Sequence, residues 1–204
     1  MPSVQIKDVP ESTHAVLRQR AAAAHQSLQE YLRSRLIAEA SQPTLEEVLD
    51  RAGAPADRSR SQTRSRLCRG IVLVVDASVL AVALADDGPD GDAARTRLRG
   101  ETLAAPELVD LEVASVLRRQ DRAGLLDTRR ANLALTDLTA LPMHRASHVP
   151  LLARCWELRH NLTTYDAAYV ALAEALDATL LTGDRRLAGA TGPTCTIELL
   201  RTPR

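Results

Sequence analysis

Phenylalanine is absent from the 204-residue chain, and all aromatic residues together make up 2% of it. That is too few rings for a row of stacking platforms, so any nucleic-acid recognition must rest on charge, hydrogen bonds or metal ions. The three cysteines, Cys68, Cys155 and Cys195, are odd in number, far apart and without a neighbouring Cys or His at metal-finger spacing. This argues against both a disulfide framework and a zinc site, and the thiols are expected to be reduced and buried. No apolar run approaches the roughly 20 residues that span a bilayer. The opening MPSVQIKDVP lacks the charged start and apolar stretch of a signal peptide, so a cytoplasmic protein without a membrane partner is expected. There is no internal repeat. What is present, 45% apolar and 25% charged residues, is the composition of a globular protein of one to two domains, which excludes disorder throughout and a fibrous array.

Net charge is also zero, but it is unevenly spread. Residues 1–70 carry 11 Lys and Arg against 8 Asp and Glu (+3), and residues 71–204 carry 15 against 18 (−3), so the two parts should attract each other. Most of the positive excess lies in RAGAPADRSRSQTRSRLCRG, residues 51–70, with six arginines and one aspartate. Almost without apolar content or periodicity, that stretch reads as a flexible basic connector.

Ahead of it, Val4 and Ile6 alternate with Ser3, Gln5 and Lys7, the period of a strand with one buried face. Pro10 then opens a helical pattern in which Val16, Leu17, Ala21 and Ala24 share a face. Ser27 and Glu30 stand at capping-box spacing before Leu28, Tyr31, Leu32 and Leu36. A unit of about 40 residues without metal or disulfide cannot bury enough apolar surface alone, so it is expected to dimerise. Pairing the short strand with its copy makes a two-stranded ribbon that fits the DNA major groove. Ser3, Gln5 and Lys7 on the outer face would then contact DNA. Residues 2–40 resemble the ribbon-helix-helix antitoxins of the VapB and FitA type. The plainer reading is a polar solvent face on a dimerisation strand.

Thr44 and Glu47 repeat the capping-box spacing before Leu45, Val48 and Leu49, which predicts a short amphipathic helix over 44–52. Two turns are unstable alone in water, so its apolar face is expected to pack on the C-terminal domain. Beyond the connector, IVLVV at 71–75 and ATLLT at 178–182 read as strands buried on both faces. Further strands are expected at 103–105, 141–144 and 195–199, with helices at about 90–99, 106–120, 128–140, 149–160 and 164–176. Such alternation predicts an α/β domain, a parallel sheet covered by helices. The expected division is 1–41, a DNA-binding domain; 42–70, a helix and basic linker; and 71–204, the α/β domain.

Within that domain Asp76 ends the first strand and Asp184 follows the later one, where open α/β sheets bind ligands. Asp166 falls in the first turn of the helix that carries Tyr165 and Tyr169, and Glu112 interrupts an apolar helix, where an unpartnered carboxylate is costly. Singly, each has an ordinary structural explanation: a helix cap, a dipole partner, a turn, a solvent face. If the four converge, bare charges about 4 Å apart repel by roughly 4 kcal/mol per pair at an effective dielectric of about 20, so the cluster must take up protons or cations. Oxygen ligands without His or Cys favour Mg2+ or Mn2+, and a site of that kind suits phosphodiester hydrolysis.

VLVVDASVL, PELVDLEVASVLRR, LTTYDAAYVALAEAL and TLLTGDRRL, in that order, resemble the PIN-domain ribonuclease toxins of the VapC family, with CWELRHNLTTYDAAYVALAEAL especially close to actinobacterial members. The resemblance implies that Asp76, Glu112, Asp166 and Asp184 form the catalytic, metal-binding quartet, and that Thr182 matches the family's polar residue two before the last acid. Ser78 is a plausible supporting hydroxyl. It further implies a metal-dependent endoribonuclease that cuts structured RNA, a transfer RNA or ribosomal RNA, and halts translation. The VapB resemblance implies operator DNA as a second partner, and a tail that inserts an arginine, one of Arg58, Arg60, Arg64 or Arg66, into the acidic pocket. Such pairs are normally two polypeptides; here one chain carries both.

Arg118, Arg119, Arg185 and Arg186 are candidates for gripping an RNA backbone. Glu107, Asp110, Asp86, Asp87, Glu157, Glu174 and Asp177 are expected on solvated faces, and His144, His148 and His160 show no ligand spacing. An aspartyl phosphatase of the haloacid dehalogenase type needs a second Asp two residues after the first, where this chain has Ser78. A DNA-binding regulator with a catalytically silent PIN-like domain and a DNA-directed nuclease remain as alternatives, because four acids do not distinguish ribose from deoxyribose.

Overall fold

The computed structural model describes residues 4, 7–41, 43–53 and 72–201. Contacts divide the chain into two units, Met1–Gln42 and Pro43–Arg204. In the first, α1 (Glu11–Ala23) starts at Pro10, whose missing N–H costs nothing at a helix start. It ends in a turn where His25 takes a positive φ. α2 (Leu28–Ser41) is launched by a reciprocal cap: the Glu30 amide donates to Ser27 Oγ (3.2 Å), while the Ser27 amide donates to Glu30 Oε2 (3.0 Å). Only Ala21 and Tyr31 are buried, and Val16, Leu36 and Ile37 remain exposed, so these two helices do not enclose a core. The strand expected over residues 3–7 lies largely outside the described residues, which include neither Ser3 nor Gln5; Lys7 is exposed and in no regular element.

The second unit is built on a five-stranded sheet of β1 (Val72–Val75), β2 (Thr102–Pro106), β3 (Met143–Ala146), β4 (Thr179–Thr182) and β5 (Ile197–Leu199), in the order β3-β2-β1-β4-β5. All neighbours are parallel. Leu73, Val74 and Val75 of β1 and Leu180 and Leu181 of β4 are buried, as expected of central strands covered on both faces. The covering helices are α4 (Ala77–Ala85), α5 (Pro89–Leu98), α6 (Val109–Arg122), α7 (Thr128–Ala140), α8 (Leu152–Glu157), α9 (Thr164–Ala175) and the one-turn α10 (Arg185–Ala188). No helix among the described residues is long and apolar enough to cross a membrane.

Two helices escaped the periodicity reading. α4, ASVLAVALA, is buried on nearly every side, and a helix that is apolar all round shows no 3.6-residue alternation. α10 is too short to carry a pattern. The helix expected over 149–160 is instead a 3-10 turn at Val149–Leu151, holding Pro150, followed by α8. Cys155 is buried and Cys195 half-buried, both with free thiols.

A further helix, α3 (Leu45–Ala52), belongs to this unit. Thr44 Oγ1 accepts from the Glu47 amide (3.2 Å) and the Glu47 carboxylate accepts from the Thr44 amide (2.8 Å). Its apolar face, Leu45, Val48, Leu49 and Ala52, enters the core against α4 and α7. Polar contacts frame that face: Arg51 pairs with the buried Asp137, Asp50 with Arg99, and Arg130 donates to the Ala52 carbonyl (2.6 Å). Beside it the buried Arg95 closes the end of α4, donating to the carbonyls of Ala83 (2.9 Å) and Asp86 (2.7 Å). Gly91 is required there, since a Cβ would stand 1.8 Å from the Asp86 carbonyl oxygen.

Leu49 is 0% exposed. Leu49→Ala in the full chain is expected to cost the larger unit about 2–5 kcal/mol, measured as a shift of its denaturant midpoint. An unchanged midpoint would mean that α3 is not part of that core.

Candidate active site

Parallel pairing of the two central strands puts the carboxyl ends of β1 and β4 side by side; β1 runs directly into Asp76, and β4 reaches Asp184 through Gly183. Asp76 stands at the N-cap of α4, yet its side chain makes no capping bond. Its Oδ2 instead accepts from Ser78 Oγ (2.7 Å) and Thr182 Oγ1 (2.6 Å). Those two hydroxyls also receive the loop after β4: the Gly183 amide donates to Ser78 Oγ (3.0 Å) and the Asp184 amide to Thr182 Oγ1 (3.0 Å). Asp184 itself caps α10, accepting from the Arg186 amide (2.7 Å).

The other two acids arrive on helices. Glu112 lies in the first turn of α6, which follows β2, and its Oε2 accepts from the Tyr169 hydroxyl (2.6 Å). Asp166 lies in the first turn of α9, where Thr163 Oγ1 accepts from the Asp166 amide (3.1 Å) and donates to Asp166 Oδ2 (2.8 Å). All four acids therefore sit at helix starts, where exposed amides favour negative charge.

The electrostatics link three of the four, Glu112, Asp76 and Asp166. Glu112 is pushed above the usual carboxylate range, chiefly by burial, against the Tyr169 hydrogen bond and with the charges of Asp76 and Asp166 adding to the rise. Burial and the Glu112 carboxylate drive the Tyr169 hydroxyl far up, so it stays protonated as the donor. Asp184 is held low, mainly by the Arg186 amide. Among the described residues no Lys or Arg forms an ion pair with Asp76, Glu112 or Asp166; Asp184 has only a loose contact of 3.4 Å with Arg186, whose side chain is 88% exposed.

No group of three or more His, Cys, Asp or Glu among the described residues is arranged to hold a metal ion outright. The charges of Asp76 and Asp166 nevertheless act on Glu112. Each carboxylate is drawn back to its own hydroxyl or amide donor, which relieves part of the mutual repulsion. The donor chemistry still fits a hard divalent cation: the donors are carboxylate oxygens, and three of the four acids face no cation among the described residues.

Tyr169 and Thr163 were not singled out from the sequence as site residues. Both had signals: Thr163 and Asp166 have capping-box spacing, and Tyr169 follows Asp166 by three, on the same face of the helix. Four of the acids expected on solvated faces form ion pairs, the exposed Asp87 with Arg130 (3.0 Å) and Glu157 with Arg154 (2.8 Å), and also Glu174 and Asp110. Glu174 is mostly buried, accepting from Arg154 Nε (2.7 Å) and the Thr194 amide (2.8 Å), and Asp110 pairs with Arg145 (2.7 Å), because each faces an arginine across a packed layer. Arg118, Arg119 and Arg185 are exposed, as are His144, His148 and His160. Arg58, Arg60, Arg64 and Arg66 lie outside the described residues.

Against known proteins, the family model of the PIN domain matches residues 73–192. That of the FitA-like antitoxin ribbon-helix-helix matches residues 2–40. The chain is 46% identical over 129 residues to ribonuclease VapC1 of Mycobacterium tuberculosis, spanning 63% of this chain and 97% of that protein. Ribonuclease VapC9 of the same organism is 45% identical over 132 residues, covering 63% and 98%. Ribonuclease VapC12 is 39% identical over 129 residues, covering 63% and 99%.

The pH dependence of stability reads out the strain on Glu112. Below the unfolded carboxylate pKa, about 4.3, Glu112 is protonated in both states and costs nothing. As pH rises through the unfolded and then the raised folded pKa, the folded state binds the extra proton and stability falls. Glu112→Gln is therefore expected to melt higher than the parent near neutral pH, an advantage that vanishes in acid. A variant less stable at neutral pH would show that the Tyr169 hydrogen bond outweighs burial.

Proposed function

The chain belongs to the PIN-domain family and carries a FitA-like ribbon-helix-helix antitoxin domain ahead of it; from this premise we propose that it is a toxin and its antitoxin in one polypeptide. Residues 71–204 act as a metal-dependent endoribonuclease that cleaves structured RNA, a transfer RNA or ribosomal RNA, and so inhibits translation. Residues 1–41 dimerise and bind operator DNA through Ser3, Gln5 and Lys7, making the protein a homo-oligomer. Residues 42–70 restrain the nuclease, with one of Arg58, Arg60, Arg64 or Arg66 set against the acids. The observation that carries the reading is the set of three carboxylates, Asp76, Glu112 and Asp166, gathered beyond the sheet's carboxyl edge without a counter-ion among the described residues. Ribonuclease activity is supported by the relatives, which are named ribonucleases over almost their whole length.

Asp76, Glu112, Asp166 and Asp184 would hold Mg2+ or Mn2+. A divalent ion there supplies charge neutralisation and an acidified water for phosphodiester hydrolysis. The chain's own residues do the rest. Ser78 and Thr182 orient the Asp76 carboxylate by donating to its Oδ2. The acids repel a bare phosphate, so RNA must be drawn in by cations elsewhere, and the exposed Arg118 and Arg119 of α6 and Arg185 and Arg186 of α10 are the candidates. A connector arginine restrains the site by the same logic, since guanidinium is always charged and binds carboxylates in two-point fashion.

Asp76→Asn is expected to reduce Mg2+-dependent RNA cleavage to background without loss of fold, measured on RNA and DNA substrates side by side. Cleavage of DNA alone would redirect the assignment to a DNA nuclease. Cutting the connector between Gly53 and Gly70 is expected to raise the rate of RNA cleavage; equal rates before and after would reject restraint by the connector.

A further inference from the structure

The three carboxylates that have no counter-ion among the described residues share one detail. Each has one oxygen tied to a hydroxyl, while the other accepts no hydrogen bond from the described residues: Oδ2 of Asp76 is held by Ser78 and Thr182, Oδ2 of Asp166 by Thr163, and Oε2 of Glu112 by Tyr169. The Glu112 anchor is the most deliberate of these. Tyr169 is 1% exposed, in the middle of α9, where an apolar side chain would pack without the cost of burying a hydroxyl. Its hydroxyl donates to a carboxylate on another helix, 57 residues away in sequence, at 2.6 Å. A hydroxyl buried at that depth and bonded to an acid is a directed contact rather than packing.

We propose that Tyr169 is a positioning residue that sets which divalent cation the site takes, by holding Oε2 so that Glu112 offers a single oxygen. The inference rests on the metal-dependent nuclease reading above. Ser78 with Thr182 and Thr163 act in the same sense on Asp76 and Asp166, so that the centre presents separate single oxygens instead of chelating carboxylates. Ca2+ takes six to eight oxygens and uses two-oxygen carboxylate ligation readily. Mg2+ is smaller, demands near-octahedral geometry, keeps several waters and is satisfied by few carboxylate oxygens. Hydroxyl anchors therefore bias the site toward Mg2+ or Mn2+ and against Ca2+, through ligands whose charge and number alone do not discriminate.

The test is calorimetric titration of the full chain with Mg2+, Mn2+ and Ca2+, repeated after the connector has been cut, in parent and Tyr169→Phe proteins. The substitution keeps the ring and removes only the hydroxyl. A connector arginine competing for the acids lowers all three affinities by a common factor and leaves their ratio unchanged. Tyr169→Phe is expected to weaken Mg2+ binding by about tenfold or more while Ca2+ binding holds or tightens, so that the Mg2+-to-Ca2+ affinity ratio falls. Thr163→Val, on the exposed start of α9, leaves the core untouched and is expected to move the ratio in the same direction should Tyr169→Phe fail to fold. Parallel weakening of all ions, or an unchanged ratio, would overturn the role of the hydroxyls and leave the nuclease reading standing. A parent protein that binds no divalent ion and cleaves no RNA in either form would remove both.

Discussion

Mutual repulsion among carboxylates is the constraint around which the larger unit is arranged. Two like charges about 4 Å apart cost roughly 4 kcal/mol at an effective dielectric of about 20, and a parallel sheet concentrates such charges because all its strands end on one edge. The order β3-β2-β1-β4-β5 makes this acute, with Asp76 and Asp184 following adjacent central strands. The answer in this molecule is hydroxyls rather than arginines: Ser78, Thr182, Thr163 and Tyr169 each donate to an acid without cancelling its charge. A neutral donor stabilises an anion and leaves it an anion, which a guanidinium partner does not.

Arginine is spent elsewhere. Arg97 ties the end of α5 to Glu198 on the edge strand β5, Arg154 joins α8 to Glu174 on α9, and Arg145 joins β3 to Asp110 on α6. These pairs brace the periphery, where the sheet has no further strand to lean on, and hold Glu174 and Glu198 below the usual carboxylate range. The acids of the edge thus face hydroxyls while those around it face arginines.

α3 shows the same division between a structural and an active part of the chain. It stands in the segment joining two domains, and its apolar face, as its amphipathic pattern leads one to expect, completes the core of the sheet unit, while the buried Asp137 takes its partner from it. Deleting everything before residue 71 would uncover that face and leave the buried Asp137 carboxylate without its Arg51 partner, a far larger disturbance than cutting the chain after Gly53. For experiments that separate the proposed nuclease from its restraint, the physical boundary lies after α3 and not before the first strand.

The parallel α/β architecture was legible in the sequence because buried strands are continuous apolar runs and amphipathic helices repeat at 3.6 residues; β1, β4 and α9 fall where those signals place them. The capping boxes at Ser27 and Thr44 were legible because a cap is a contact between residues three apart. α4 was not, since a helix buried on all sides has no polar face to mark its period, and neither were the partners of Glu174 or Asp110, which face arginines distant in sequence. By itself the sequence determined which acids end which elements. The tertiary structure alone decided that Tyr169 reaches Glu112 and Thr182 reaches Asp76, because a hydrogen bond between residues 57 or 106 positions apart exists only once the sheet has brought them within reach.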